Sequence, residues 1–281
     1  MPEYQRLALS NLTPKLGSEV SSVDLTNLCD ETITEIRQAF LSRHVLVFRD
    51  QLLDREQHKA FGRLFGELQL HPAKTNLGMP GDPEIFDINI SAKTKVANGE
   101  SWHTDLSCEA IPPMASALYI TEVPACGGGD TLFANMHEAY EALSPPIQSL
   151  LQELTAYHSG YKDLKAYGYV PKPHETYPTA THPIVTKHPD TGRPVLFINE
   201  SFTERINELS PHESKALLTM LYRQIESNTR FHCRVKWQVN TLVLWDNRAV
   251  HHHAVWDYYP QARRGERVTI QSLASPAPYK I

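Results

Sequence analysis

Cysteine is scarce: four residues, at 29, 108, 126 and 233, stand in a chain of 281, and no C-x-x-C pair occurs. That spacing argues against a disulfide framework or a thiolate zinc site and leaves free, reduced thiols. No apolar run approaches the roughly 18 residues of a spanning helix, and the opening MPEYQRLALSNLTPKLG has no apolar stretch behind a basic one. The expectation is a cytoplasmic protein without a membrane partner. Positive charge is not in surplus either: 27 basic and 32 acidic side chains, intermixed along the chain, give a formal net charge of -5. No footprint for nucleic acid follows from such a balance. Internal repeats and low-complexity tracts are also missing.

What is present, 41% hydrophobic and 21% charged residues, suits one soluble globular domain over residues 1–281 with a sizeable core. A homo-oligomer is compatible with it. Apolar spacing predicts helices over 31–41, 54–65, 136–143, 147–157 and 211–227; Asp54 with Gln57, and Ser210 with Glu213, form capping pairs. Short strands bounded by Gly, Pro, Asn or Asp are expected around HVLVFRD and over 84–89, 115–121, 131–134, 183–187, 195–199, 234–237, 241–245 and 267–273. Strands that do not alternate regularly with helices favour an antiparallel barrel or sandwich with flanking helices, a jelly roll. The least regular stretch, 160–181, reads as a surface excursion and a candidate lid.

Fourteen histidines are present, and two groups stand out. SWHTDLSCEA, residues 101–110, sets His103 two positions before Asp105. LVLWDNRAVHHHAVWDYYPQARRGER, residues 242–267, runs from an apolar strand through His251, His252 and His253 to Arg263, Arg264 and Arg267. Two neutral imidazoles and a carboxylate on one face leave three positions of an octahedral ion open, the facial arrangement of non-haem Fe(II) oxygenases. Successive strand side chains face opposite ways, so either His252 points inward alone or His251 and His253 do so together. The same donors would suit a zinc hydrolase, and the fold would also serve a non-catalytic binder of small anions.

Taken in order, WHTD, GGDTL, WDNRAVHHHA with the DY beyond it, Arg263 and Arg267, joined by VFRDQ, FGEL and HPDTGRPVLFINESFTERI, resemble the TauD/TfdA (taurine dioxygenase-like) family of Fe(II)- and 2-oxoglutarate-dependent dioxygenases. The likeness runs from about Leu16 to Ile270. It implies a mostly β, cupin-like double-stranded β-helix with flanking helices. It also implies Fe(II) as the metal, with 2-oxoglutarate and dioxygen as cosubstrates.

By this resemblance His103 and Asp105 match the first two iron ligands, and counting from Asp246-Asn247-Arg248 the third falls on His252. Arg263 matches the arginine that clamps the far carboxylate of 2-oxoglutarate, a task suited to its planar fork. Thr131 matches a hydroxyl donor to that carboxylate. Arg267 and His71 match residues that hold the anionic end of the prime substrate in sulfonate-using members, and Phe202 matches an aromatic wall of that pocket. A loop histidine bonded to backbone and an ordinary core phenylalanine are the plainer accounts of His71 and Phe202. Lys74 stands where taurine enzymes have tyrosine, Gly99 where they have asparagine, and Gly160 in place of an aromatic; GGGDTL carries one glycine more than is common. These departures point to a small anion other than taurine, longer or aromatic. The implied reaction hydroxylates a C–H of a sulfonate, alkyl sulfate or aryloxyalkanoate and yields succinate and CO2. A hydroxylated carbon bearing such a group then collapses to a carbonyl compound and releases it.

Overall fold

The computed structural model describes residues 4–70, 80–96, 99–170 and 174–280; His71 and Lys74 lie outside them. Its largest sheet has seven strands in the order Ala8–Asn11, Ser18–Ser21, Val45–Phe48, Thr241–Asp246, Ala115–Glu122, Arg263–Ile270 and Phe86–Ile90. Neighbours are antiparallel except Ser18–Ser21 and Val45–Phe48. Across from it lies a smaller sheet of His232–Val235, Thr131–Asn135 and Val250–Ala254. Between the two sits an inner core, with Val45, Val47, Leu118, Ile120, Val243 and Trp245 from the large sheet and Phe133, Cys233, Val235 and Val250 from the small one. This is the expected jelly-roll sandwich.

Side-chain alternation explains why the central strands read as unbroken apolar runs. In VLVF, Val45 and Val47 enter the inner core, while Leu46 and Phe48 pack outward with Ile36, Phe40 and Phe61 of the helices Asp30–Arg43 and Arg55–Arg63. A strand covered on both faces has no solvent side to mark with polar residues. Strand Arg263–Ile270 shows the same parity in a charged sequence. Val268 and Ile270 join the outer cluster and Glu266 pairs with Arg55, so Arg263, Gly265 and Arg267 share the inner face. Gly265 has a steric reason: a Cβ there would lie 2.4 Å from the Tyr119 carbonyl oxygen.

Several boundaries differ from expectation for physical reasons. The helix expected over 147–157 is Pro145–Gln152, and Thr155–Ser159 is a strand between Thr203–Ile206 and Thr179–Pro183. Prolines are tolerated in a first helical turn, and ladder pairing on both edges claims Thr155 for the sheet. The strand expected over 267–273 is Arg263–Ile270, hidden by the charge run RRGER, whose outward members meet solvent or Arg55. The described residues of the 160–181 stretch are more regular than expected, since Gly160–Ala166 is a helix and Thr179–Pro183 a strand. The histidine triplet belongs to its own strand, Val250–Ala254, rather than to the end of the preceding one.

Four imidazoles are sealed into this scaffold. Burial pushes His44 and His158 down to about 3 and His58 and His137 down to about 4. All four are neutral in the native protein near pH 7. As pH falls below about 6.5, the unfolded chain binds protons that the native fold refuses until roughly pH 4 to 3. Stability is thus retained above about pH 6.5 and lost in acid, with a slope of up to ~5 kcal/mol per pH unit when all four contribute. Melting followed by circular dichroism should show a steep drop between about pH 6.5 and 5. A flat profile there would show that these rings exchange protons freely in the native state.

Candidate active site

Strand Val250–Ala254 sends His252 and its neighbours to opposite sides. His252 approaches Phe133 and Trp245 on the inner side, with ring centroids 6.2 and 5.0 Å away. His251 turns to the other face, where it lines a small cavity with Trp102, Asn199 and Tyr222, and His253 packs 5.6 Å from the Trp102 ring. The backbones of His103 and His252 pair in both directions, at 3.1 and 2.8 Å, which brings their rings to 4.0 Å. Asp105 Oδ1 then lies 3.9 Å from His103 Nε2 and 3.8 Å from His252 Nε2. One donor atom from each of the three residues falls within 4.8 Å of the others, the one such metal-competent group among the described residues.

The protonation states suit cation binding. His103 Nδ1 donates to the Ser101 carbonyl at 2.8 Å, which leaves the Nε2 lone pair directed toward Asp105. Burial drives His252 well below its ordinary value, so it stays neutral. Burial alone would raise the Asp105 carboxyl, but the Arg267 guanidinium, with a hydrogen bond from Ser116, outweighs it and holds that group well below the usual carboxylate range. Arg267 Nη1 reaches both Asp105 oxygens at 2.9 Å, and Ser116 Oγ donates to one of them at 3.1 Å. Two imidazole nitrogens and one anionic oxygen on one face match the donor set of a facial Fe(II) site.

Arg263 supplies the second element. It is buried, stacks 5.3 Å over the Trp237 ring, and leaves Nε and Nη2 without a hydrogen-bond partner among the described residues. Its neighbour Asp130 is engaged by Arg234 at 2.5 Å. A buried guanidinium with free donors is costly unless an anion meets it. Beside it, Thr131 Oγ1 accepts from Trp237 Nε1 at 2.9 Å, which leaves the threonine hydroxyl free to donate. The glycine-rich loop closes over this corner, with Gly129 N–H donating to Asp257 at 2.8 Å. This corner therefore offers a small anion a buried cation and a free hydroxyl donor.

The substrate side is partly drawn. Arg267 lies on the Asp105 flank over the Phe86 ring, at 4.9 Å, and its Nε has no hydrogen-bond partner among the described residues. Phe202 is buried but lies outside the three apolar clusters. Gly99 has φ +89°, and a Cβ there would stand 3.3 Å from His103 Cε1, so residue 99 does border the metal-competent group. Gly160 does not open the pocket as expected: its Cβ position already meets Cys108 Sγ and Pro178 at 3.3 Å. Trp237 and Ser116 also shape the site without any local motif to announce them, whereas Asn247 and Tyr258 lie in the WDNR and DY motifs, which gave them no role of their own.

Three comparisons bear on this geometry. The family model described as "Taurine catabolism dioxygenase TauD, TfdA family" matches residues 8–269. The alpha-ketoglutarate-dependent sulfonate dioxygenase of Saccharomyces cerevisiae is 34% identical over 282 residues, covering 95% of this chain and 67% of the yeast protein. An alpha-ketoglutarate-dependent sulfate ester dioxygenase of Pseudomonas putida is 33% identical over 284 residues, with 96% and 91% covered. Among solved structures, a taurine dioxygenase from Burkholderia xenovorans superposes with a TM-score of 0.82 at 33% identity, covering 95% of this chain and 90% of that one. Neither zinc hydrolysis nor anion binding without turnover finds support among these relatives.

Proposed function

Because the chain belongs to the taurine catabolism dioxygenase TauD, TfdA family, and is therefore a 2-oxoglutarate-dependent dioxygenase that uses Fe(II) and dioxygen, we propose that it oxidises a small sulfonate or sulfate ester. The observation that carries the assignment of residues is the pairing of the His103–Asp105–His252 group with a buried arginine that has unused donors. His103, Asp105 and His252 hold the metal, and Arg263 and Thr131 hold the far carboxylate of 2-oxoglutarate. Bound iron supplies the dioxygen activation; the chain supplies position and charge. Arg267 receives the anionic end of the prime substrate, with Phe202 as a wall, so that one C–H faces the metal and the others do not. A sulfonate or sulfate ester hydroxylated at the carbon bearing the group then expels it and leaves a carbonyl compound. His71 and Lys74 belong to the same proposal on resemblance alone.

The reading also takes the chain as one dioxygenase domain working in the cytoplasm on small molecules, without nucleic acid or membrane. Among the described residues no helix is long and apolar enough to cross a bilayer. Within the 160–181 segment proposed as its cover, Tyr167 OH accepts the Gly99 N–H at 2.8 Å and so ties its own helix end to the loop that leads into His103.

The test is succinate release over a panel of alkanesulfonates, alkyl sulfates, aryloxyalkanoates and neutral analogues. Anions with longer chains than taurine should give the highest specificity constants. Best turnover of taurine, or equal turnover of a neutral analogue, would remove the substrate assignment. Arg267→Leu, assayed at saturating Fe(II) because of its contact with Asp105, should raise the KM of the preferred anion and leave that of 2-oxoglutarate largely unchanged. A rise confined to 2-oxoglutarate would reassign Arg267.

A further inference from the structure

We infer that Asn247 is the positioning residue for Asp105, and that the turn it occupies sets the geometry of all three metal donors; the inference rests on the metal reading above. Asp105 lies outside every strand, and the residue after it, Leu106, has a left-handed φ of 51°. No sheet ladder holds this donor in place. Its main chain is held instead by one side chain. The Asp105 N–H donates to Asn247 Oδ1 at 2.8 Å, and Asn247 Nδ2 donates to the Asp105 carbonyl at 3.0 Å. The same Nδ2 donates to the Pro113 carbonyl at 3.0 Å, and the Asn247 N–H to the Met114 carbonyl at 3.0 Å. Asn247 is fully buried, so each of these bonds replaces water that cannot reach the site.

The turn itself is anchored from both sides. Asp246 N–H donates to the His44 carbonyl at 2.9 Å, and the Asp246 carboxylate accepts from Arg248 at 2.8 Å and from His188 Nε2 at 2.9 Å. Beyond the turn, the strand carries His252 and pairs with the backbone of His103. One hairpin thus places His252 directly, His103 through main-chain pairing, and Asp105 through Asn247. A carboxamide suits the task because one planar group offers both an acceptor and a donor. Aspartate at 247 would turn a carboxylate oxygen toward two carbonyls, and alanine would leave three buried groups unpaired.

The experiment measures binding of Mn(II) alone by calorimetry, alongside the melting temperature, for the wild type, Asn247→Ala, Asn247→Ser and Leu221→Ala. Leu221 is buried on helix Pro211–Ser227 in an apolar cluster that includes none of the donors, so its truncation reports what lost stability alone does to binding. Asn247→Ala should weaken Mn(II) binding about 10- to 100-fold, the usual cost of losing a residue that orients a metal ligand. Leu221→Ala should bind as the wild type does, whatever its melting temperature. Should Asn247→Ala not fold, the same result is expected of Asn247→Ser, which also cannot span the two Asp105 groups. Wild-type affinity in the Asn247 variants, or an affinity loss in Leu221→Ala that scales with melting temperature, would overturn the inference. Failure of the wild type to bind Mn(II) would instead overturn the metal reading, and this inference with it.

Discussion

Replacing His252 with alanine should abolish both metal binding and turnover, whereas His251→Ala and His253→Ala should keep most of each. The expectation follows from strand parity. His252 alone of the triplet reaches Asp105, at 3.8 Å, and stands against His103. With three protein donors in the constellation among the described residues, loss of one leaves a two-donor site that holds a divalent ion poorly. His251 faces the opposite side, beside Trp102 and Tyr222, so its removal costs packing and should lower the melting temperature instead. Measured Mn(II) affinity and succinate formation for the three variants decide the matter: activity retained in His252→Ala with loss in a neighbour would mean that the strand is read one residue out of register.

Arg263→Ala should produce the second large effect, a rise in the KM for 2-oxoglutarate far greater than that for the prime substrate. The guanidinium is buried, held over Trp237, and has two donor nitrogens without partners among the described residues. A carboxylate deprived of such a partner loses roughly 2 to 5 kcal/mol, which is on the order of 30-fold to several-thousand-fold in affinity. Thr131→Val should act in the same direction and more weakly, since the hydroxyl makes one neutral bond where the arginine makes charge-assisted ones. Equal effects on the two substrates would sever Arg263 from the cosubstrate.

The parts of this site legible in the sequence are those encoded over short distances. His103 and Asp105 lie two positions apart, and the alternatives for the triplet were already limited to His252 or its two neighbours by the period of a strand. Arg263 and Arg267 were separated from the rest of the charge run RRGER by the family resemblance, and the strand that carries them was not legible, because Arg264 and Glu266 mask its alternation. Residues that act across long separations were not legible. Trp237 meets Thr131 from 106 positions away, and Asn247 meets Asp105 from 142. Gly160 shows the opposite error: a missing side chain suggested space, yet Pro178 and Cys108 already fill it.

The central claim, that His103, Asp105 and His252 hold Fe(II) while Arg263 anchors 2-oxoglutarate on it, is tested most directly by anaerobic titration of the Fe(II)-loaded protein with 2-oxoglutarate. The readout is the visible charge-transfer absorption that a 2-oxo acid gives when it chelates iron. The wild type should develop this band and saturate at one equivalent of each component, Arg263→Ala should need far more 2-oxoglutarate to reach it, and His252→Ala should not develop it. A wild type that shows no band, or a His252→Ala variant whose band equals that of the wild type, would contradict the account.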